Sequence, residues 1–135
     1  MKKIGIIIIA FISILAVSCN PDYTNAKQLE GVWKHTKTDT DGASTVPSED
    51  EDLRFEFKDA SKDGGTFVLT VKSQYSTVKV DGTYVISEKG TKITFSGELG
   101  GSTYSQPYEL EVNSKEFIIS TDVSGKTVKE TYTKQ

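Results

Sequence analysis

The side chains with chemistry to offer are few and far apart. Cys19 is the only cysteine, and it follows an apolar run, Ile4 to Val17, interrupted only by Gly5 and Ser13. A thiol there could serve as a nucleophile, a metal ligand or an acylation point. His35, the one histidine, stands two residues after Trp33, and Glu130 stands two before Tyr132. In an alternating segment each would share the face of its aromatic neighbour. An imidazole and a carboxylate on one inner face can orient a ligand or exchange a proton, and they can equally satisfy one another as a buried hydrogen-bonded pair. Asp39 and Asp41 ahead of Gly42 have the composition of a calcium-loop fragment, but the loop's other ligand places hold Lys37 and Ser48. One histidine builds no zinc triad, and no serine or threonine sits in a nucleophile elbow. The sequence therefore offers no catalytic, metal or cofactor constellation, and a non-enzymatic role is expected.

The segments that must hold these residues alternate apolar and polar with period two, the pattern of strands with one buried face. Eight strands are expected, at about Gly31–Thr38, Asp52–Asp59, Thr66–Ser73, Thr77–Ser87, Thr91–Leu99, Ser102–Val112, Glu116–Asp122 and Lys126–Lys134. Their inner rows are aromatic: Phe55 and Phe57, then Phe67, Tyr84, Phe95, Tyr104 and Tyr108, Phe117 and Tyr132, with His35 and Glu130 in phase. Gly82 falls in one such row and suggests a bend or bulge, and Pro107, which cannot donate to a ladder, marks a bulge or an open edge. Gly100–Gly101 and Ser124–Gly125 are hairpin signals. From the second strand onward the connections are short, which favours an antiparallel meander closed into an up-and-down barrel over a sandwich with long crossovers. The one long connection, Asp39 to Glu51, is polar and acidic and reads as a surface loop, or a lid, at one barrel end. Asn20 to Gln28 is polar and aperiodic, a short tether, with at most a helical turn near Leu29 to Gly31.

Lys2 and Lys3 precede the apolar run, and Ser18 precedes Cys19. This is the layout of a secretory signal, and it is short of the roughly 20 apolar residues of a membrane span. Leu15, Ala16, Val17, Ser18 and Cys19 resemble the lipobox of bacterial lipoproteins. That resemblance implies three parts: a signal peptide over 1–18, a lipidated tether over 19–28 beginning at Cys19, and a domain over 29–135. It also implies a diacylglyceryl group on the Cys19 sulfur and a fatty acyl chain, such as palmitate, on its amine. Several chains hold a protein firmly where one holds marginally, each buried methylene contributing about 0.8 kcal/mol. The lipobox resemblance thus implies a lipid anchor in the cell envelope, with the outer membrane or cell surface favoured over the inner membrane. Beyond residue 18 the chain carries fourteen basic against nineteen acidic side chains, a formal −5, which excludes nucleic acid as a natural partner.

Gly31, Val32 and Trp33 within "LEGVWKH" resemble the opening Gly-X-Trp motif of lipocalins. The domain, over Leu29 to Gln135, resembles the small lipocalin-like lipoproteins common in Bacteroidota, in which this motif comes after a short tether behind the lipid-bearing cysteine. The resemblance implies a lipocalin-like barrel in which Gly31 and Trp33 plug one end and an arginine from a late strand packs on the tryptophan. The only arginine here is Arg54, in the second strand, so Lys129 or Lys134 is the expected substitute. Two functions stay open. Either the aromatic row lines a pocket for a small apolar or amphipathic ligand, or the barrel is packed solid and the protein is an accessory subunit or inhibitor that presents its loops to an unknown protein partner.

Overall fold

The computed structural model describes residues 20–135. Cys19 and the segment before it lie outside the described residues, and so do the expectations placed on them. From Gly31 onward alternation produces strands: β1 (Gly31–Thr40), β2 (Ala43–Thr45), β3 (Asp52–Ser61), β4 (Gly64–Lys72), β5 (Thr77–Ser87), β6 (Lys92–Leu99), β7 (Ser102–Val112), β8 (Glu116–Val123) and β9 (Lys126–Lys134). Each strand from β3 onward pairs antiparallel with the next, β1 pairs with β3, and a further ladder between β1 and β9 closes the sheet. The result is an eight-stranded antiparallel barrel, with β2 as a short extra strand folded back on the end of β1. Closure pairs the strand edges that an open sheet would leave bare. Half of the expected long loop is thus a hairpin, with Thr38 opposite Thr45 and its turn tied to β9 where the Thr127 amide donates to the Asp41 carboxylate at 3.0 Å.

The largest departure from the sequence reading is at the start. Asn20 to Gln28 is not an aperiodic tether: Pro21–Leu29 is a nine-residue helix, α1. Asn20 caps it by accepting from the Asp22 amide at 3.1 Å, Pro21 occupies the first turn where its missing N–H costs nothing, and Asp22 favours the positive end of the helix dipole. Only Ala26 and Leu29 turn a face to the core, too few apolar residues to make a visible stripe.

The fully buried core is apolar. Fourteen hydrophobic residues are buried, among them Trp33, Phe57, Tyr84, Phe117 and Tyr132, and among the described residues no polar or charged residue is. Aromatic contacts weave the strands together. Phe117 stacks on Tyr132 at 4.6 Å, Trp33 meets Phe117 edge-on at 5.2 Å, and Phe57 meets Tyr84 edge-on at 5.3 Å. Such pairs add roughly 0.5–1.5 kcal/mol each beyond the area they bury.

Two seams interrupt the wall. β7 and β8 share only the ladder from Glu109–Ser120 to Val112–Phe117, so Ser102 to Tyr108 has β6 on one side and no strand on the other. Pro107 explains where the ladder stops. The Leu110 amide donates to the Thr91 carbonyl on the β6 side at 2.7 Å, and by alternation the N–H that Pro107 lacks would have pointed at β8. The β6–β7 register is unbroken, so Pro107 marks an open edge and not a bulge. Gly82 is likewise no bulge. It pairs in register with Phe67 and Gly97, and the β5–β6 ladder ends at Gly82–Gly97, beyond which the two strands part toward one rim.

Candidate functional site

The two ends of the barrel differ in kind. At one end α1 lies across the opening and is fastened by side chains: Asn25 Nδ2 donates to the Gly90 carbonyl at 2.8 Å, Asp22 accepts from the Gly90 amide at 2.6 Å, and Asn20 Nδ2 donates to the Lys62 carbonyl at 3.3 Å. Beneath the helix, Trp33 is fully buried and its Nε1 donates to the Leu29 carbonyl at 2.7 Å, while Tyr84 Oη donates to the Ala26 carbonyl at 3.4 Å. Burial pushes the Tyr84 hydroxyl up to about 12, with Glu30 adding a smaller push. Of the two lysines proposed to cover the tryptophan, Lys134 does so, with Nζ 5.1 Å from the ring centre. Lys129 instead lies opposite Asp39 near the far end, and Arg54 bonds Asp52 at 2.9 Å. Gly31 is required here. Its φ is +126°, and a Cβ would stand 3.2 Å from Lys134 Cε, so any side chain would strain the backbone and crowd the lysine that covers Trp33.

Toward the other end the aromatic packing thins and leaves a cavity of about 330 Å³. Its wall is Leu53, Phe55, Phe67, Leu69, Val80, Phe95, Leu99, Tyr104, Gln106, Tyr108, Ile119, Glu130 and Tyr132. Pockets for small molecules run from roughly 300 to 1,000 Å³, so the space suits one small ligand. Of the residues expected to line a site, Phe55, Phe67, Phe95, Tyr104, Tyr108, Glu130 and Tyr132 do so. Phe57, Tyr84 and Phe117 do not: they lie on the inner face but pack into the plugged half under α1. Sequence alternation gives the face of a residue and not its depth, so the two groups could not be separated beforehand. Leu53, Leu69, Val80, Leu99, Gln106 and Ile119 were missed as lining residues, although all obey the same alternation.

His35 and Glu130 are not bonded to each other. His35 Nε2 is 2.9 Å from Thr38 Oγ1, and Glu130 Oε2 accepts from Tyr132 Oη at 3.1 Å. His35 stands opposite Tyr132, and a register shift between His35 and Lys37 puts Thr38 rather than Lys37 opposite Glu130. The imidazole instead packs on the Tyr132 ring at 5.2 Å and is off the cavity wall. Burial raises the Tyr132 hydroxyl far above the ordinary tyrosine range, and raises that of Tyr108 as well; the Glu130 charge adds to both.

The Tyr104 ring crosses Gly97 and Gly82, and a Cβ on either would meet its hydroxyl at 2.8 Å and 3.1 Å. These glycines form a cradle for a tyrosine. Its Oη is buried and has no hydrogen-bond partner. The β7–β8 seam opens onto an outer groove of about 360 Å³, edged by the outward residues Pro107, Glu109, Ser120 and Asp122 together with Tyr108. Tyr108 thus stands between groove and cavity.

A barrel of eight strands, plugged by a Gly-X-Trp tryptophan at one end and hollow toward the other, has the architecture of the lipocalins. A family model described as "Lipocalin-like domain" matches residues 29–119. The chain belongs to this family. The match begins at Leu29, the helix residue whose carbonyl holds Trp33, and ends within β8, so the closing strand β9 of this lipocalin-like domain is supplied by the structure. No curated protein matches the chain. Among the described residues no three His, Cys, Asp or Glu side chains cluster as metal ligands would.

Proposed function

We propose that this lipocalin-like protein is a bacterial lipoprotein of the type found in Bacteroidota, anchored through Cys19, whose barrel binds a small apolar or amphipathic ligand without chemical conversion. The observation that carries this reading is the open cavity of about 330 Å³ with a mostly apolar wall. A solid barrel would have no use for such a space, since an unfilled volume in a core costs stability.

The rim supports the same reading. Val71, Val78, Leu99 and Tyr75, at the mouth-side ends and turns of the strands, are all exposed. An apolar rim lowers the cost of passing an apolar ligand from a carrier or a membrane into the barrel. Because Asn20, next to the proposed anchor, is bonded to Lys62 at the plugged end, the mouth is directed away from the anchoring bilayer in this reading. The localisation proposed, which the lipobox resemblance and not the fold suggests, is the outer membrane or the cell surface, with the mouth toward the aqueous side.

Native mass spectrometry of the protein released from its own cells tests the binding. A co-purifying small molecule that is lost in Leu69→Trp, which fills the cavity, is the expected result; an empty barrel that repeatedly brings down a protein partner would overturn it. The anchor is tested separately by metabolic labelling with palmitate. Cys19→Ser should abolish the label while the barrel still folds, and a variant that remains labelled would sink the assignment.

A further inference from the structure

We propose that the barrel selects a cationic amphiphile, an apolar chain or ring system bearing a protonated amine, with the amine seated against the Glu130 carboxylate. The inference rests on the reading of the barrel as a small-ligand site and adds the chemistry of the ligand's polar end.

Glu130 is the only charged residue on the cavity wall, which has no lysine, arginine or histidine. Its carboxylate receives one hydrogen bond, from Tyr132, and among the described residues it forms no salt bridge. A carboxylate offers about four acceptor positions. The residues set around it are Tyr132 on its own strand, Tyr108 across the interior, Thr38 opposite on β1 and Ile119 opposite on β8, none of them basic, and the nearby His35 imidazole is bonded to the Thr38 hydroxyl rather than to the carboxylate. An unpaired carboxylate beside an apolar wall is costly to maintain and becomes favourable when a donor or a positive charge meets it. A fatty acid would bring a second negative charge to the same place.

On the side of the β1–β3 connection the approach to the cavity carries the same sign. Between Lys37 and Arg54 the chain has Asp39, Asp41, Glu49, Asp50, Glu51 and Asp52 and no basic residue. Asp39 and Asp52 are neutralised by Lys37 and Arg54, which leaves Asp41 and Glu49 to Glu51 on the hairpin and loop at the mouth. Lys72 and Lys126 end other mouth-side strands. Clefts edged with one sign of charge concentrate ligands of the opposite sign and speed their capture.

Isothermal titration calorimetry on the full chain at neutral pH, with decylamine, decanoate and decanol as probes, separates the possibilities. Decylamine is expected to bind about tenfold or more tightly than decanoate, and Glu130→Gln to remove that preference while decanol affinity stays within about twofold. Equal or tighter binding of decanoate to the native chain overturns the inference and leaves the small-ligand reading intact. Failure of all three probes overturns both. The native chain's ranking decides even if the glutamine variant does not fold.

Discussion

Tyr104 shows how one residue can hold a cavity open. Its ring covers two glycines and gives the sheet an inner surface where side chains are missing, but its hydroxyl is buried without a partner. Such an orphan costs roughly 1–3 kcal/mol. Tyr104→Phe keeps the ring, and chemical denaturation should find the variant more stable by about 1 kcal/mol; Gly97→Val, which drives two methyls into the ring, should lower stability by about 1–3 kcal/mol. Lys134 makes the complementary case. It substitutes for a stacked arginine as an exposed cation over Trp33, worth about 0.5–1 kcal/mol. Lys134→Met should therefore destabilise measurably in urea, whereas Lys129→Met, in the mouth-side half of the same strand, should stay within about 0.5 kcal/mol. The tripeptide Gly31–Trp33 was legible in the sequence because its spacing is local. The lysine that completes it was one of two candidates until the β1–β9 register placed Lys134 opposite Trp33.

Helix α1 behaves as a stopper more than as a linker. Its two buried side chains, Ala26 and Leu29, and its bonds to Gly90 and Lys62 join it to the β3–β4 and β5–β6 turns. Leu29→Ala should cost about 2–5 kcal/mol, as for any fully buried leucine, and should expose Trp33, read as a red shift and stronger quenching of its fluorescence. An unchanged spectrum would mean that the helix does not seal the barrel. The β7–β8 seam makes a second element-scale prediction. The Thr103 and Ser105 amides face the gap by the same alternation that turns the Leu110 amide toward β6, so their hydrogen exchange should be much faster than that of Leu110. Equal protection would show that the seam is closed in solution.

At the scale of the whole molecule, buried tyrosines in both the plugged half and the cavity wall make stability depend on pH. The Tyr84 hydroxyl donates to α1 and is held protonated up to about 12 against an ordinary 10.0. The unfolded chain therefore loses that proton first. The group's contribution to stability is whole below pH 10.0 and is lost as pH rises to about 12. Thermal unfolding midpoints should fall through this window, with Tyr132 adding to the fall. Tyr84→Phe should flatten the decline, and a decline of unchanged steepness in that variant would remove Tyr84 as the cause.

Sequence alone determined the eight strands, their order and their inner faces, because alternation is a local property with a fixed period and short turns leave neighbouring strands one way to pair. It identified Gly31 and Trp33 instead through the resemblance of a local tripeptide to the lipocalin Gly-X-Trp motif. It missed α1, whose burial rests on two residues spaced three apart, although the Asn20–Pro21–Asp22 cap was there to be read. Tertiary structure decided what alternation cannot carry, which is depth along the barrel axis. Depth is set by a residue's place along its strand and by the register between strands, and it sorted one aromatic row into a packed plug and a cavity wall. It also separated His35 from Glu130, leaving the carboxylate on the cavity wall without a cation of its own.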